Sequence, residues 1–571
     1  MPPRRRFVVD TPELRRVVAL PRRVPNEADA IMYARELTRD LVIKPREGLA
    51  LRPWQGFALV EAIQNDGLYA GLSVGAGKTL LSWLLPYVLN ATNAILGIPA
   101  GLRQKTYDDI QSFLGVWKAP SPVPRIVTYE ELTQDGAESL IFRLKPDLIV
   151  LDECDLLRDQ TGSKVRRLAD YISAELPKVV AMTGTPGRNS ILDYSHLLIW
   201  ALKEGAPVPL VPAECDLWAA ALDEDGSAGQ NKPHPGALEL LGGGSTLAGA
   251  RAGFRDRLTQ TPGVLIIDGD SCDQPLTVTQ TLAPEDPLLD QHFEVFRKES
   301  MTPDGWFMSD PLSWWRHGGQ LGTGMYLRWN PRPPEWWIAP RRDFCKFVRD
   351  KIEIGHGPKG QTLHTEKQVI RAFWNHPVVQ AWKYVEKKFI PNSEPVWISG
   401  SVLINTAEWA SDMSDGPGLV WVGNVEFGQA LSTITGLRFY GAKGLDEGGS
   451  YIERHPKGES AIVSWGANLR GRNLQKHWSR NRLVNPPQSG RYLEQLIGRT
   501  HRAEQEKPVT VEFMLTSGET IDAFEAALRE AKFGKSTNGI TQKLLRAKVD
   551  RAIPEITRNP YRWASRTYTD D

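Results

Sequence analysis

Residues 67–79 read GLYAGLSVGAGKT. The first six form a short apolar, β-rich run. The next seven, Ser73-Val74-Gly75-Ala76-Gly77-Lys78-Thr79, lead straight into a helical stretch, KTLLSWLLPYVLN. Strand, glycine-rich turn and helix N-terminus in that order make a phosphate-binding loop. The glycines let backbone amides approach phosphate oxygens, and the positive end of the helix dipole faces the anion. Ser73, Gly75, Ala76 and Gly77 are therefore candidate nucleotide-binding positions. Lys78 would reach the β- and γ-phosphates and the Thr79 hydroxyl would ligate magnesium, so ATP and Mg2+ are the expected cofactors. Leu72 stands where the strict eight-residue form of the loop has glycine. Pro86 must kink or end the following helix, because it removes a backbone donor.

Outward from this loop the same rhythm recurs. AILGI (94–98), RIVTY (125–129), DLIVL (147–151) and KVVAM (178–182) alternate with longer amphipathic stretches. That alternation predicts a parallel sheet covered by helices, with the polar turns at its carboxyl edge, where open α/β folds bind ligands. One such turn, Asp152-Glu153-Cys154-Asp155, follows DLIVL directly. A strand ending there delivers Asp152 toward magnesium and Glu153 toward the water that attacks the γ-phosphate, with Glu153 as general base.

From about residue 365 the rhythm returns, with LVWVG (419–423), LRFYG (437–441), SAIVSW (460–465) and VTVEFML (509–515) as candidate strands of a second sheet. The stretch between holds GGGS (242–245), proline clusters and Trp306, Trp314, Trp315, Trp329, Trp336 and Trp337. It reads as an insertion of helices and irregular loops. Its tryptophans, interleaved with Arg316, Arg328, Arg332, Arg341 and Arg342, suit either a small aromatic core or stacking on unpaired bases, and the core is the simpler reading.

The chain has 571 residues, long enough for several domains, with 41% apolar and 24% charged residues and no apolar run of about 18 residues that would span a bilayer. No membrane partner is expected. The basic start MPPRRR is followed by charges and prolines rather than an apolar core, so it does not read as a secretory signal. The four cysteines at 154, 215, 272 and 345 are too scattered for a C-x-x-C site and too few for a disulfide framework. The expected setting is the cytoplasm, or the nucleus of a eukaryotic cell. A net charge of +1 gives no global signature for nucleic acid, so any binding surface must be local.

The order Leu51-Arg52-Pro53-Trp54-Gln55, SVGAGKT, IPAGL (98–102), DECD, Thr183-Gly184-Thr185-Pro186 and Gln495-Leu496-Ile497-Gly498-Arg499-Thr500-His501-Arg502 resembles the motif series of superfamily 2 helicases. LRPWQ, TGTP and GRTHRAEQEKPVTV are most similar to the Swi/Snf-type branch. DECD replaces the more usual DEAH. GANLRGRNLQ (466–475) resembles the fifth motif, with Arg472 where leucine is common. The resemblance implies two RecA-like lobes, at 41–204 and 365–550. Residues 1–40 would be an N-terminal extension, 205–364 the insertion and 551–571 a tail. It also implies roles. Gln55 would read the adenine edge with Arg52 or Trp54 in support, Thr183 and Thr185 would couple the γ-phosphate state to the nucleic-acid track, and Arg499 and Arg502 would enter as arginine fingers. Gln495 would orient the water or the γ-phosphate. Candidate track contacts are Arg103 in the loop 99–103, Tyr129, Asn424, Lys443, Arg470 and Arg472.

The expected activity is a monomeric DNA-dependent ATPase that translocates on duplex, with a single strand as a second track, RNA less favoured and a protein loading partner allowed. Economy of parts suits a bacterial or phage setting in replication, recombination or repair. The alternatives are a strand-separating DNA or RNA helicase and a non-hydrolysing ATP-gated clamp; intact Lys78, Glu153, Arg499 and Arg502 argue against the clamp.

Overall fold

The computed structural model describes residues 7–73, 75–133, 137–223, 232–269, 272–358, 363–487, 489–552 and 559–564. Among the described residues, two large parallel sheets flanked by helices form most of the structure. The first has six strands: β1 (Leu68–Leu72), β2 (Ala94–Ile98), β3 (Arg125–Thr128), β4 (Leu148–Asp152), β5 (Lys178–Thr183) and β6 (Val264–Ile267), in the order β3-β2-β4-β5-β1-β6. Alternate residues of one strand feed two separate cores. Ile149 and Leu151 pack with Tyr69 and Trp218, while Leu148 and Val150 pack with Leu84 and Trp83. Burial on both faces explains why these strands read as unbroken apolar runs.

The second sheet has seven strands. β7 (Leu276–Leu282) comes first in the chain, then β10 (Gly418–Val422), β11 (Phe439–Tyr440), β12 (Ala461–Ser464), β13 (Arg480–Val484), β14 (Val509–Leu515) and β15 (Lys548–Asp550), in the order β11-β12-β10-β13-β14-β7-β15. Between β7 and β10 lies an antiparallel pair, β8 (Met325–Asn330) and β9 (Asn392–Trp397).

The change of sheet does not fall where the sequence suggests. β6 pairs with β1, and helices Pro212–Leu222 and Leu247–Thr259 share the core of the first sheet, so described residues up to 267 belong to that unit rather than to an insertion. β7 lies between β14 and β15, which starts the second unit near residue 276 instead of 365. The N-terminal extension, from residue 7 on, packs against the first unit. Val8, Leu14 and Val17 are core residues, and helix Glu27–Leu41 packs so closely on helix Pro53–Asn65 that a Cβ on Gly56 would collide with the Ala34 backbone. In the tail, Arg562 is buried and donates to the carbonyls of Thr516 and Pro284 at 2.9 and 3.2 Å. Helix Lys78–Val88 stops two residues after Pro86.

The tryptophan-rich segment forms its own aromatic core. Trp306, Trp329, Trp337 and Trp382 follow one another with ring centroids 4.6, 5.2 and 5.0 Å apart, and the Arg341 guanidinium lies 5.0 Å over Trp329. Trp337 is 4% exposed, so it offers no face to a base, whereas Trp336 stays exposed. Truncating Trp337 to Ala should cost about 3–5 kcal/mol in urea unfolding, the usual cost of emptying an aromatic core position.

His196 gives the first unit a pH dependence. Its Nε2 lies 2.9 Å from the Leu157 carbonyl, and burial pushes the ring from its ordinary 6.5 down to about 4. The unfolded chain therefore takes up a proton below 6.5 that the folded chain refuses. Stability is full above 6.5 and is lost as the pH falls from 6.5 toward 4, by up to about 3 kcal/mol. Chemical unfolding at stepped pH should show this slope in the wild type and a flatter one in His196→Gln.

Candidate active site

The loop after β1 is held open by backbone geometry and by two side chains from helix Pro53–Asn65 and its cap. Gly75 and Gly77 have φ of 91° and 80°, a region that favours glycine. The Arg52 guanidinium donates to the Gly75 carbonyl at 2.6 Å. The Gln55 amide donates to the Ala76 and Gly77 carbonyls at 3.2 Å each, and its oxygen accepts the Arg52 amide at 2.8 Å. Gln55 is thus engaged at both ends in shaping the loop, where the sequence reading put it at a base edge. Lys78 and Thr79 open the following helix. The Lys78 ammonium is buried and donates to the Leu72 carbonyl at 3.2 Å. Val74 falls outside the described residues.

β4 ends on Asp152, and Glu153 follows in the left-handed region at φ 52°, a conformation that costs a non-glycine residue about 1–3 kcal/mol. Its amide donates to the Asp152 carboxylate at 3.0 Å. Burial, then the neighbouring Glu153 charge, pushes the Asp152 carboxyl up to about 6, against the pull of Lys78. Tyr129 backs this turn. Its hydroxyl donates to the Asp152 carbonyl at 2.7 Å and its ring is fully buried, so the expected contact of Tyr129 with nucleic acid is corrected to a structural one.

Helix Gly490–Thr500 brings the second unit's arginines to the same place. Arg499 donates from Nε to the Gln495 carbonyl at 2.9 Å and from Nη1 to the Arg472 carbonyl at 3.1 Å. Arg502 reaches the Arg472 carbonyl at 3.3 Å and the Asn473 side chain at 2.5 Å. Burial first, then the Arg502 charge, lowers Arg499 to about 10, while Glu153 opposes that fall. A cavity of about 470 Å³ is lined by Arg52, Gln55, Gly75, Gly77, Lys78, Thr79, Asp152 and Glu153 on one side, and by Arg470, Asn473, Arg499 and Arg502 on the other.

Gln495 does not line that cavity. It is buried with its Oε1 unpartnered among the described residues. Thr183 and Thr185 are also buried away from it. The Thr183 hydroxyl donates to Asp155 at 3.2 Å and accepts the Thr185 amide at 3.0 Å. Asn473 of the segment 466–475 lines the cavity, as does Lys105, which no motif marked because a lysine in an amphipathic helix carries no signal of its own.

A second, larger cleft of about 1030 Å³ adjoins it. The loop 99–103 and Lys105 form one wall, and Lys443, Arg454, Arg470 and Arg472 the other. Six basic side chains face three acidic ones, Asp108, Glu130 and Glu453. Arg103 pairs with Glu131 at 2.5 Å, and Arg472 grips Glu453 with two contacts of 3.1 Å. Arg470 borders both cavities. Asn424 lies elsewhere, at the N-cap position of helix Val425–Thr435 with no side-chain capping bond and with its Nδ2 buried, so it leaves the proposed track.

No family model and no curated protein matches the chain. Among the described residues no helix is long and apolar enough to cross a membrane. Gly77→Ala should strain the loop, since the new Cβ would collide with the Gln55 amide at a positive φ. It should cost about 1–3 kcal/mol and speed hydrogen exchange of the loop amides, while Gly101→Ala, with open space around its Cβ, should leave both unchanged.

Proposed function

We propose that this chain is an ATP-hydrolysing motor on nucleic acid, built of two RecA-like lobes as in superfamily 2, and that duplex DNA is its track. One observation carries the reading. The glycine-rich loop and the Asp152–Glu153 turn of the first lobe share a single cavity with Arg499 and Arg502 of the second, more than 340 residues away in the chain. Phosphate-binding, carboxylate and arginine groups converging in one interlobe cavity are the parts that phosphoryl transfer to water requires.

The chemistry follows from the positions. Glu153 takes a proton from water as the water oxygen bonds to the γ-phosphorus. The bond from that phosphorus to the bridging oxygen breaks, leaving ADP and phosphate. Lys78, Arg499 and Arg502 neutralise the charge that spreads over the transferring group. The Thr79 hydroxyl and the Asp152 carboxylate would hold magnesium, which when bound neutralises charge on the phosphate oxygens. The residues fit it by the chemistry of the donor set, a hydroxyl at the start of the loop's helix and a buried carboxylate at the end of β4 that line one cavity.

The larger basic cleft supports the nucleic-acid part of the reading. It runs across both lobes, and phosphate contacts from both are what a ratcheting motor needs. Duplex is taken from the resemblance to the Swi/Snf branch. A strand-separating helicase is the second reading, favoured by Tyr451, Trp465 and Tyr492 in the same cleft, whose rings offer stacking faces to bases.

Steady-state ATP hydrolysis without nucleic acid, with single-stranded DNA, with duplex and with RNA, at low salt, tests the proposal. Stimulation by duplex is expected; stimulation by single strands alone favours unwinding, and no hydrolysis under any condition rejects the motor. Glu153→Gln should bind ATP normally and lose about two or more orders of magnitude in turnover. Arg499→Ala should lose turnover more than ATP affinity.

A further inference from the structure

Helix Gly490–Thr500 carries Arg499 near its C-terminal end, and its other end is seated on the first lobe. The Arg491 guanidinium lies 2.5 Å from the Asp155 carboxylate, with side chains only 4% and 5% exposed. Just before it, the Gly490 amide and the Ser489 hydroxyl donate to the Glu530 carboxylate at 2.7 and 3.3 Å. The other oxygen of Glu530 receives Arg188 from the first lobe at 2.9 Å. Each pair joins a turn of the first sheet to a helix packed on the second.

The first-lobe partners are not arbitrary surface groups. Asp155 follows Glu153 by two residues, and its second oxygen accepts the Thr183 hydroxyl, which in turn accepts the Thr185 amide. Arg188 lies three residues beyond Thr185. The two ion pairs therefore fasten the start of the arginine-bearing helix to the two turns that follow β4 and β5.

We propose that these pairs act as a closure gauge, and that Arg491 and Glu530, with Asp155 and Arg188, are positioning residues that set Arg499 against Glu153. The inference rests on the proposed ATP hydrolysis. Each lobe has its own hydrophobic cores, so neither needs the pairs to fold. Parting of the lobes would break both pairs and leave Asp155 its Thr183 bond and Glu530 its Ser489 and Gly490 bonds. Desolvation on closing offsets much of the Coulomb attraction, so the pairs select one register of the lobes more than they tighten it. An arginine offset by about 1 Å from its working position can lose on the order of 10²-fold in rate, which is why the register matters.

The variants are Arg491→Gln and the double change Asp155→Asn with Arg491→Gln, which removes both buried charges and keeps an acceptor for Thr183. Turnover and KM for ATP are measured with the stimulating nucleic acid. In parallel, a dye pair with one dye on each lobe follows the interlobe distance on adding ADP–beryllium fluoride with magnesium. The expected result is a fall in turnover on the order of 10²-fold with KM unchanged, and loss of the nucleotide-induced change in dye distance. Wild-type turnover and distance change in the double variant overturn the gauge and leave the motor standing. A wild-type chain that hydrolyses no ATP rejects the functional reading and the gauge with it. Should the double variant not fold, Arg491→Lys carries the test. It keeps the charge and loses the fork, so a drop in turnover with KM unchanged supports the gauge and wild-type turnover overturns it.

Discussion

The central strands of the first sheet, β1, β2, β4 and β5, are filled with apolar side chains buried on both faces, so the chemistry of that sheet collects where the strands end. Among the described residues, every strand pairing within the two large sheets is parallel, and each strand of such a pair delivers its carboxyl end to the same edge. In the first sheet that edge receives the loop after β1, the Asp152–Glu153 turn after β4 and the Thr183–Thr185 turn after β5. Gly77 at φ 80° and Glu153 at φ 52° are backbone conformations held in place by the hydrogen bonds and packing around them.

The opposite wall answers with positive charge. Arg470, Arg499 and Arg502 border one cavity and two of their guanidiniums share the Arg472 carbonyl. Burial first, and the Arg502 charge second, hold Arg499 down to about 10. On the facing side, Asp152 is held near 6 by burial and by Glu153. The two walls of the cavity thus carry opposite charge, carboxylates with Lys78 on one side and arginines on the other.

Buried arginines recur as structural parts as well. Arg482 in β13 pairs with Glu512 at 2.6 Å, and Arg480 and Arg482 lie 3.9 and 5.1 Å over the Trp409 ring. Arg257 is fully buried and holds the Leu20 carbonyl at 2.9 Å, tying the N-terminal segment to the first lobe. These residues explain why parts of the fold are hidden in the sequence. RNRLV does not look like a central strand until its arginines find partners 30 to 80 residues away.

AILGI and VTVEFML are strands over the residues that their composition indicates, and DLIVL shifts by a single residue, because an apolar run between turns has few other ways to hide itself. LRFYG shortens to Phe439–Tyr440, and β6, β7 and β15 join sheets that their own residues do not announce. The sequence by itself determined the local pattern: which turn is rich in glycine, which strand ends in two carboxylates, and which segment repeats its arginines. Those depend on spacings of a few residues, which the chain's covalent geometry sets. Only the tertiary structure decided that Tyr129 and Asn424 turn inward, that Gln55 braces the loop, where one sheet gives way to the other, and that Arg491 meets Asp155. Such outcomes depend on contacts between residues hundreds of positions apart, and no local pattern encodes which distant surface will take a side chain out of water.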